Sequence, residues 1–117
     1  MNEARPTITL NAAEFTFGRL ASRIAFYLQE KHNPAYRPNV VGTTKVVVKN
    51  FDKVRFSGTK LDTTLHHRYT GYPGGIKTQT MGQLYARAPK QLLEKAVCRM
   101  LPKNRLNDRR MKNLVIT

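Results

Sequence analysis

The chain has 117 residues, with 21 Lys and Arg against 7 Asp and Glu and a formal net charge of +14. That length allows one domain with a real core and no need of metal or disulfide staples. The lone Cys98 excludes an internal disulfide and fits a reducing compartment. So large a cation excess points to a polyanionic partner and leaves a merely basic enzyme as the weaker alternative. No apolar run approaches the roughly 18 residues of a membrane helix.

The expected organisation is a single domain over 1–117 with a short N-terminal tail, 1–6. The opening MNEARPTITL lacks the apolar core of a signal peptide and the acid-free character of a transit peptide. A cytoplasmic location is therefore expected, and an organellar origin with a removed leader stays open. Residues 1–30 carry no net charge, whereas 31–70 carry +6 and 71–117 carry +8. The first third reads as scaffold and the remainder as the anion-facing surface.

Thr7–Leu10 reads as a short strand, being rich in β-branched residues. Thr16 is the expected N-cap of a helix from Phe17 to about Lys31, whose apolar face repeats at Leu20, Ile24 and Leu28. Pro34 disfavours helical geometry just before it, so the helix should stop at His32 and Asn33. The run from His32 to Thr44 is then loop. Lys45–Asn50, with three successive valines, is the clearest strand and suits burial on both faces. Lys53–Ser57 alternates and reads as another strand.

The segment His66–Thr78 crowds Gly71, Pro73, Gly74 and Gly75 among His66, His67, Arg68, Tyr69, Tyr72 and Lys77. It is expected to be a loop. Glycines permit positive φ and close approach, proline stiffens the turn, and cationic and aromatic groups suit phosphates and flat bases. A valine at Gly74 or Gly75 is accordingly expected to weaken RNA binding while sparing the fold.

Beyond the loop, Thr80 and Gln83 have capping-box spacing for a helix to about Arg87. Pro89 suits the first turn of the next helix, to about Leu101. Its apolar stripe is Leu92, Leu93, Ala96, Val97, Met100 and Leu101. A basic segment, Lys103–Lys112, leads into a last strand, Leu114–Thr117. Strands alternating with helices indicate an α/β domain with a largely parallel sheet.

Catalytic readings find little support. From Gly71, the position that must be glycine in a Walker phosphate loop is Ile76. His66 and His67 are neighbours and would point to opposite sides of a strand, and only His32 and Cys98 remain to complete a zinc set. Cys98 reads as a packed thiol. The seven acids are scattered and form no acid–base pair. What remains is distributed basicity with interleaved aromatics: Tyr69 and Tyr72 at the loop, Tyr36 near Lys31, His32 and Arg37, and the cluster Arg105, Arg109, Arg110 and Lys112.

Several segments occur in a familiar order and spacing: Phe17–Ala21 (FGRLA), Lys31-His32 with Tyr36 and Pro38, Asp52–Val54, Ser57-Gly58, His67–Lys77 (HRYTGYPGGIK) and Met100–Lys103 (MLPK). From about Ile8 to Ile116 the chain closely resembles the thirteenth protein family of the large ribosomal subunit, in its bacterial type. The resemblance implies a three-layer α/β/α domain with a central, mainly parallel sheet of about four strands. It implies a structural component that binds large-subunit ribosomal RNA, supports subunit assembly and touches neighbouring ribosomal proteins, with no catalytic activity and no cofactor. Messenger RNA is a further candidate ligand, for a regulator using the same surface; no membrane partner is expected. The expected RNA-binding set is Arg19, Lys31, His32, Arg37, Lys60, His67, Arg68, Tyr69, Thr70, Gly71, Tyr72, Gly74, Gly75, Lys77, Lys103, Arg105, Arg109, Arg110 and Lys112.

Three departures from the family pattern bear on that set. Val41-Gly42-Thr43-Thr44 stands where an Asp-x-Gly-Asp turn is common. Leu106-Asn107-Asp108 stands where Leu-Gly-Arg usually follows, so Asp108 is left out. The sequence stops after the last strand, without the C-terminal extension common in bacterial members of the family, so contacts through one are not assumed.

Overall fold

The computed structural model describes residues 6–117; most of the expected tail therefore lies outside the described residues. The elements are, in order, β1 (Thr7–Asn11), α1 (Phe17–Leu28), β2 (Lys45–Lys49), α2 (Lys60–Thr63), β3 (Leu65–Tyr69), β4 (Ile76–Thr80), α3 (Met81–Arg87), α4 (Pro89–Met100), α5 (Leu106–Met111) and β5 (Leu114–Ile116). β1, β2 and β5 form a parallel sheet in the order β1-β2-β5. β3 and β4 form a separate antiparallel pair. The fold is the expected α/β one, with three strands in the main sheet where about four were expected.

The core follows from the helical and strand periodicities. Leu20, Ala21, Ile24 and Leu28 of α1 are all at 0% exposure, as are Val46 and Val48 of β2 and Leu93 and Val97 of α4. Apolar positions three and four apart put one face of each long helix inward. α1 and α4 pack against each other, and both share one hydrophobic cluster with Val46, Val48 and Ile116. Val47, on the other face of β2, is only half-buried, so the valine run is fully buried on one face alone. Phe17 stacks on Phe56 with ring centroids 5.2 Å apart, and Tyr85 meets Phe56 edge-on at 5.1 Å. These rings join the start of α1 to α3.

Local signals decide several element ends. Thr80 and Gln83 form the full capping box: the Gln83 N–H donates to Thr80 Oγ1 at 3.2 Å, and the Thr80 N–H to Gln83 Oε1 at 3.1 Å. Pro89 opens α4. α1, however, ends at Leu28 and not near Lys31, so Pro34 is not its stop. The Glu30 N–H donates to Tyr27 O at 3.0 Å and the Lys31 N–H to Phe26 O at 3.3 Å, with Glu30 at φ 57°. That is a Schellman closure with glutamate in the left-handed position glycine usually takes.

The Glu30 carboxylate repays the strained position. It accepts from the Thr43 N–H at 2.8 Å, the Thr44 N–H at 2.9 Å and the Thr44 hydroxyl at 2.7 Å. Its side chain lies where a Cβ on Gly42 would stand. Gly42, Thr43 and Thr44 thus form a cradle for an acid supplied by the turn that closes α1, and an Asp-rich turn in their place would repel it. Burial works to raise the Glu30 pKa, but these donors, with His32 nearby, hold it below its ordinary value.

Three further expectations change. Lys53–Ser57 is not a strand of a sheet: Val54 and Phe56 do point inward, yet only Arg55 pairs, in an isolated parallel bridge with Thr16. Among the described residues that bridge is its one β-pairing, so the alternation produces an extended segment without a ladder. Met100, counted in the apolar stripe of α4, is 45% exposed. The basic segment after α4 contains α5, whose start is organised by Asn104 Oδ1 accepting from the Leu106 N–H at 3.0 Å. Asp108 sits in the first turn of α5, where a negative charge favours the helix.

Candidate nucleic-acid interface

The segment expected to be a loop is a β-hairpin, with only residues 70–75 outside the strands. The register pairs His67 with Thr78, Arg68 with Lys77 and Tyr69 with Ile76. Alternation in a strand then gives the hairpin two different faces. One carries Arg68, Lys77, His66 and Gln79, and the other Leu65, His67, Tyr69, Ile76 and Thr78. Arg68, Lys77 and Gln79 of the first face, together with Thr78 and Arg87, line an open cavity of about 390 Å³. Arg87, at the end of α3, was not in the expected set. The capping box that starts α3 directly after β4 brings it there, a placement that spacing alone does not reveal.

The tip is a tight turn. The Gly75 N–H donates to Tyr72 O at 2.9 Å across Pro73 and Gly74, and the Thr70 N–H to Gly75 O at 2.8 Å. Pro73 followed by Gly74 at φ 70° is the pattern of a type II turn, whose third residue needs positive φ. Gly75 has a different constraint: a Cβ there would run into the Thr70 hydroxyl and come within 3.0 Å of Tyr72 O. A valine at either position would therefore deform the tip itself, which corrects the expectation that such variants only block close approach. The turn leaves Tyr69 67% and Tyr72 75% exposed, with aromatic faces free beside the cations.

The two histidines differ sharply. His67 Nδ1 lies 2.9 Å from Thr78 Oγ1, a bond across the two strands. Both ring nitrogens of His66 are buried without a hydrogen-bond partner among the described residues. Burial first, then Lys95, Arg99 and His67, push its pKa down. His66 thus lies near the cations Lys95 and Arg99 of α4, in surroundings that disfavour its protonation.

The other expected residues fall into separate places. Arg19 and Lys60 share the lining of an approximately 490 Å³ groove with Gly18, Ser22, Phe56 and Met81. His32 meets Tyr27 edge-on, with centroids 5.2 Å apart. Lys31 and Arg37 are exposed on the loop closed by Glu30, and Lys103, Arg105, Arg109 and Lys112 are exposed around α5. Arg110 corrects the expectation that it faces outward. It is 1% exposed, its Nη2 donates to Pro38 O at 3.3 Å, and Nε and Nη1 have no partner among the described residues. On a six-residue helix that packs against α4, the register turns Arg110 inward while Arg109 stays outside.

Fold and surface together define a small basic α/β domain that displays its charge on an outlying hairpin and open grooves, the build of a structural protein. A family model described as Ribosomal protein L13 matches residues 5–116. The chain belongs to that family, which is structural and non-enzymatic. Among its relatives is the protein named large ribosomal subunit protein uL13 of Saccharopolyspora erythraea, 43% identical over 107 residues that cover 92% of this chain and 72% of the relative. The protein of the same name in Mycobacterium avium is 44% identical over 103 residues, covering 88% of this chain and 70% of the relative. That of Mycobacterium tuberculosis is 45% identical over the same 103-residue length.

Proposed function

We propose that this protein is a structural component of the large ribosomal subunit, binding large-subunit ribosomal RNA and supporting subunit assembly beside neighbouring ribosomal proteins. Its relatives' names and their bacterial sources support a place on cytoplasmic ribosomes. The observation that carries the RNA reading is the hairpin: Arg68 opposite Lys77 with Arg87 beside them, and Tyr69 and Tyr72 exposed at the tip. Lysines and arginines displace counterions from folded RNA, and exposed rings stack on unpaired bases. Arg109, Lys112, Lys103 and Arg105 add a second basic surface at α5.

The test is sucrose-gradient fractionation of a native lysate in high salt. The expected outcome is one copy per large subunit through the wash. A protein that runs free of subunits would overturn the reading and favour a regulator that binds messenger RNA.

A further inference from the structure

A second cleft, away from the hairpin, combines cations with aromatic walls. It holds about 550 Å³ and is lined by Glu14, Phe15, Arg19, Arg23, Phe26 and Arg55, with Thr16 and Ser22 between them. Of these, only Arg19 belongs to the expected RNA-binding set. Arg19, Arg23 and Phe26 stand at i, i+4 and i+7 on α1, so the helix puts them on one face. Arg55 arrives from the extended segment after β2. The Phe17 N–H donates to Arg55 O at 2.9 Å, and Arg55 Nη2 donates to Glu14 O at 3.4 Å. Phe26 is 39% exposed, an aromatic ring left at the surface beside three guanidinium groups.

We propose that this cleft holds one unpaired nucleotide of RNA, with its phosphate on Arg19, Arg23 and Arg55 and its base against Phe15 and Phe26. The inference rests on the RNA-binding reading above and adds a site to it. Its volume lies in the range of small-ligand pockets, larger than a bare phosphate requires. Guanidinium forks match phosphate oxygens, and phenyl rings offer base stacking. A base inside a duplex cannot reach such a wall, so the occupant is single-stranded or splayed out. Glu14 shares the rim with the arginines. Its carboxylate turns phosphate towards the arginine side and accepts hydrogen bonds from an exocyclic amino group. Cytosine and adenine are therefore favoured over uracil.

The test uses the full chain and fluorescein-labelled decamers of cytidine, adenosine and uridine, with a blunt RNA duplex of equal length. The expected order is the cytidine and adenosine decamers ahead of uridine, and Phe26→Ala weakens the cytidine decamer about tenfold, the scale of one lost base stack. Arg23→Gln weakens all three decamers, while Glu14→Gln narrows the gap between cytidine and uridine. Circular dichroism confirms that each variant is folded. If Phe26→Ala and Arg23→Gln both leave decamer binding unchanged while Arg68→Gln in the hairpin lowers it, the cleft assignment falls and the RNA reading stands. If the unaltered protein binds neither decamer nor ribosomal RNA, both fall. If free cytidine monophosphate binds as tightly as the decamer, the occupant is a free nucleotide and the RNA assignment is wrong.

Discussion

The α1–β2–α4 core and the β3–β4 hairpin are built by opposite rules. In the core, Leu20, Ile24, Val46, Val48, Leu93 and Val97 are at 0% exposure, and burial of apolar area supplies the stability. No residue of β3 or β4 is fully buried. The hairpin is held by its own ladder, by the His67–Thr78 bond and by contacts with α2 and α3 at its base. A two-stranded pair is marginal alone, so the core must supply the platform. In return the hairpin is free to expose cations and rings that no core could bury. The comparison teaches that stability and binding should separate cleanly by mutation.

The largest expected effect is in the core. Leu93→Ala removes a fully buried side chain and should cost about 2–5 kcal/mol, read by urea unfolding, with RNA binding lost only as the protein unfolds. A smaller cost would mean that the α1–α4 contact can collapse around the gap.

Next comes the Glu30 closure. Glu30→Ala deletes the acceptor for Thr43 and Thr44 and should cost about 1–3 kcal/mol. The pKa of Glu30 is lower in the folded state than its ordinary 4.5. Its stabilisation is therefore complete above that value and declines as pH falls through the lower, folded-state value. Amide protection in the 31–44 loop, relative to intrinsic exchange at each pH, should fall in acid, and Glu30→Gln should abolish that dependence. A loop equally protected in both proteins at low pH would refute the closure.

The hairpin is tested by Arg68→Gln with Lys77→Gln. Both side chains are exposed, so unfolding should change by no more than about 0.5 kcal/mol. Affinity for large-subunit RNA should fall about tenfold, and the log–log salt slope should lose about 0.7–0.9 per phosphate contact. An unchanged slope would take the hairpin out of the binding surface.

The smallest effect joins the two regions. His66 has a folded-state pKa below its ordinary 6.5, so the unfolded chain binds the proton more readily. The contribution of His66 to stability is complete above the folded and ordinary values and is lost as pH falls below about 6.5. Hairpin amides should lose protection in that window before the 31–44 loop does, and His66→Phe should remove the difference.

Much of the scaffold was legible from local chemistry. Thr80 with Gln83, and Pro89, mark helix starts because capping and proline geometry act within one turn, and Thr16 holds the N-cap position of α1 without a side-chain capping bond. Leu20, Ile24 and Leu28 declare the inward face of α1 through their spacing, whereas the unbroken valine run of β2 marked a strand without showing that only Val46 and Val48 are fully buried. The tight turn in the glycine-rich segment was legible too, since Pro73 followed by Gly74 fits few other geometries. The hairpin around it was not, because β3 and β4 are exposed and carry no apolar alternation to signal a strand.

What the sequence alone determined is therefore what neighbours along the chain decide: helix starts, apolar faces, the tight turn at Pro73-Gly74, and the excess of positive charge. Tertiary structure decided the rest. It set Glu30 into the Gly42–Thr44 cradle and turned Arg110 under Pro38. It brought Arg55 to Arg19 and Arg23, and Arg87 to Arg68 and Lys77. A cation looks the same in sequence whether it ends buried, alone or converging with others. Only the packing of distant segments assigns it one of those fates, because charges interact across space and not along the chain.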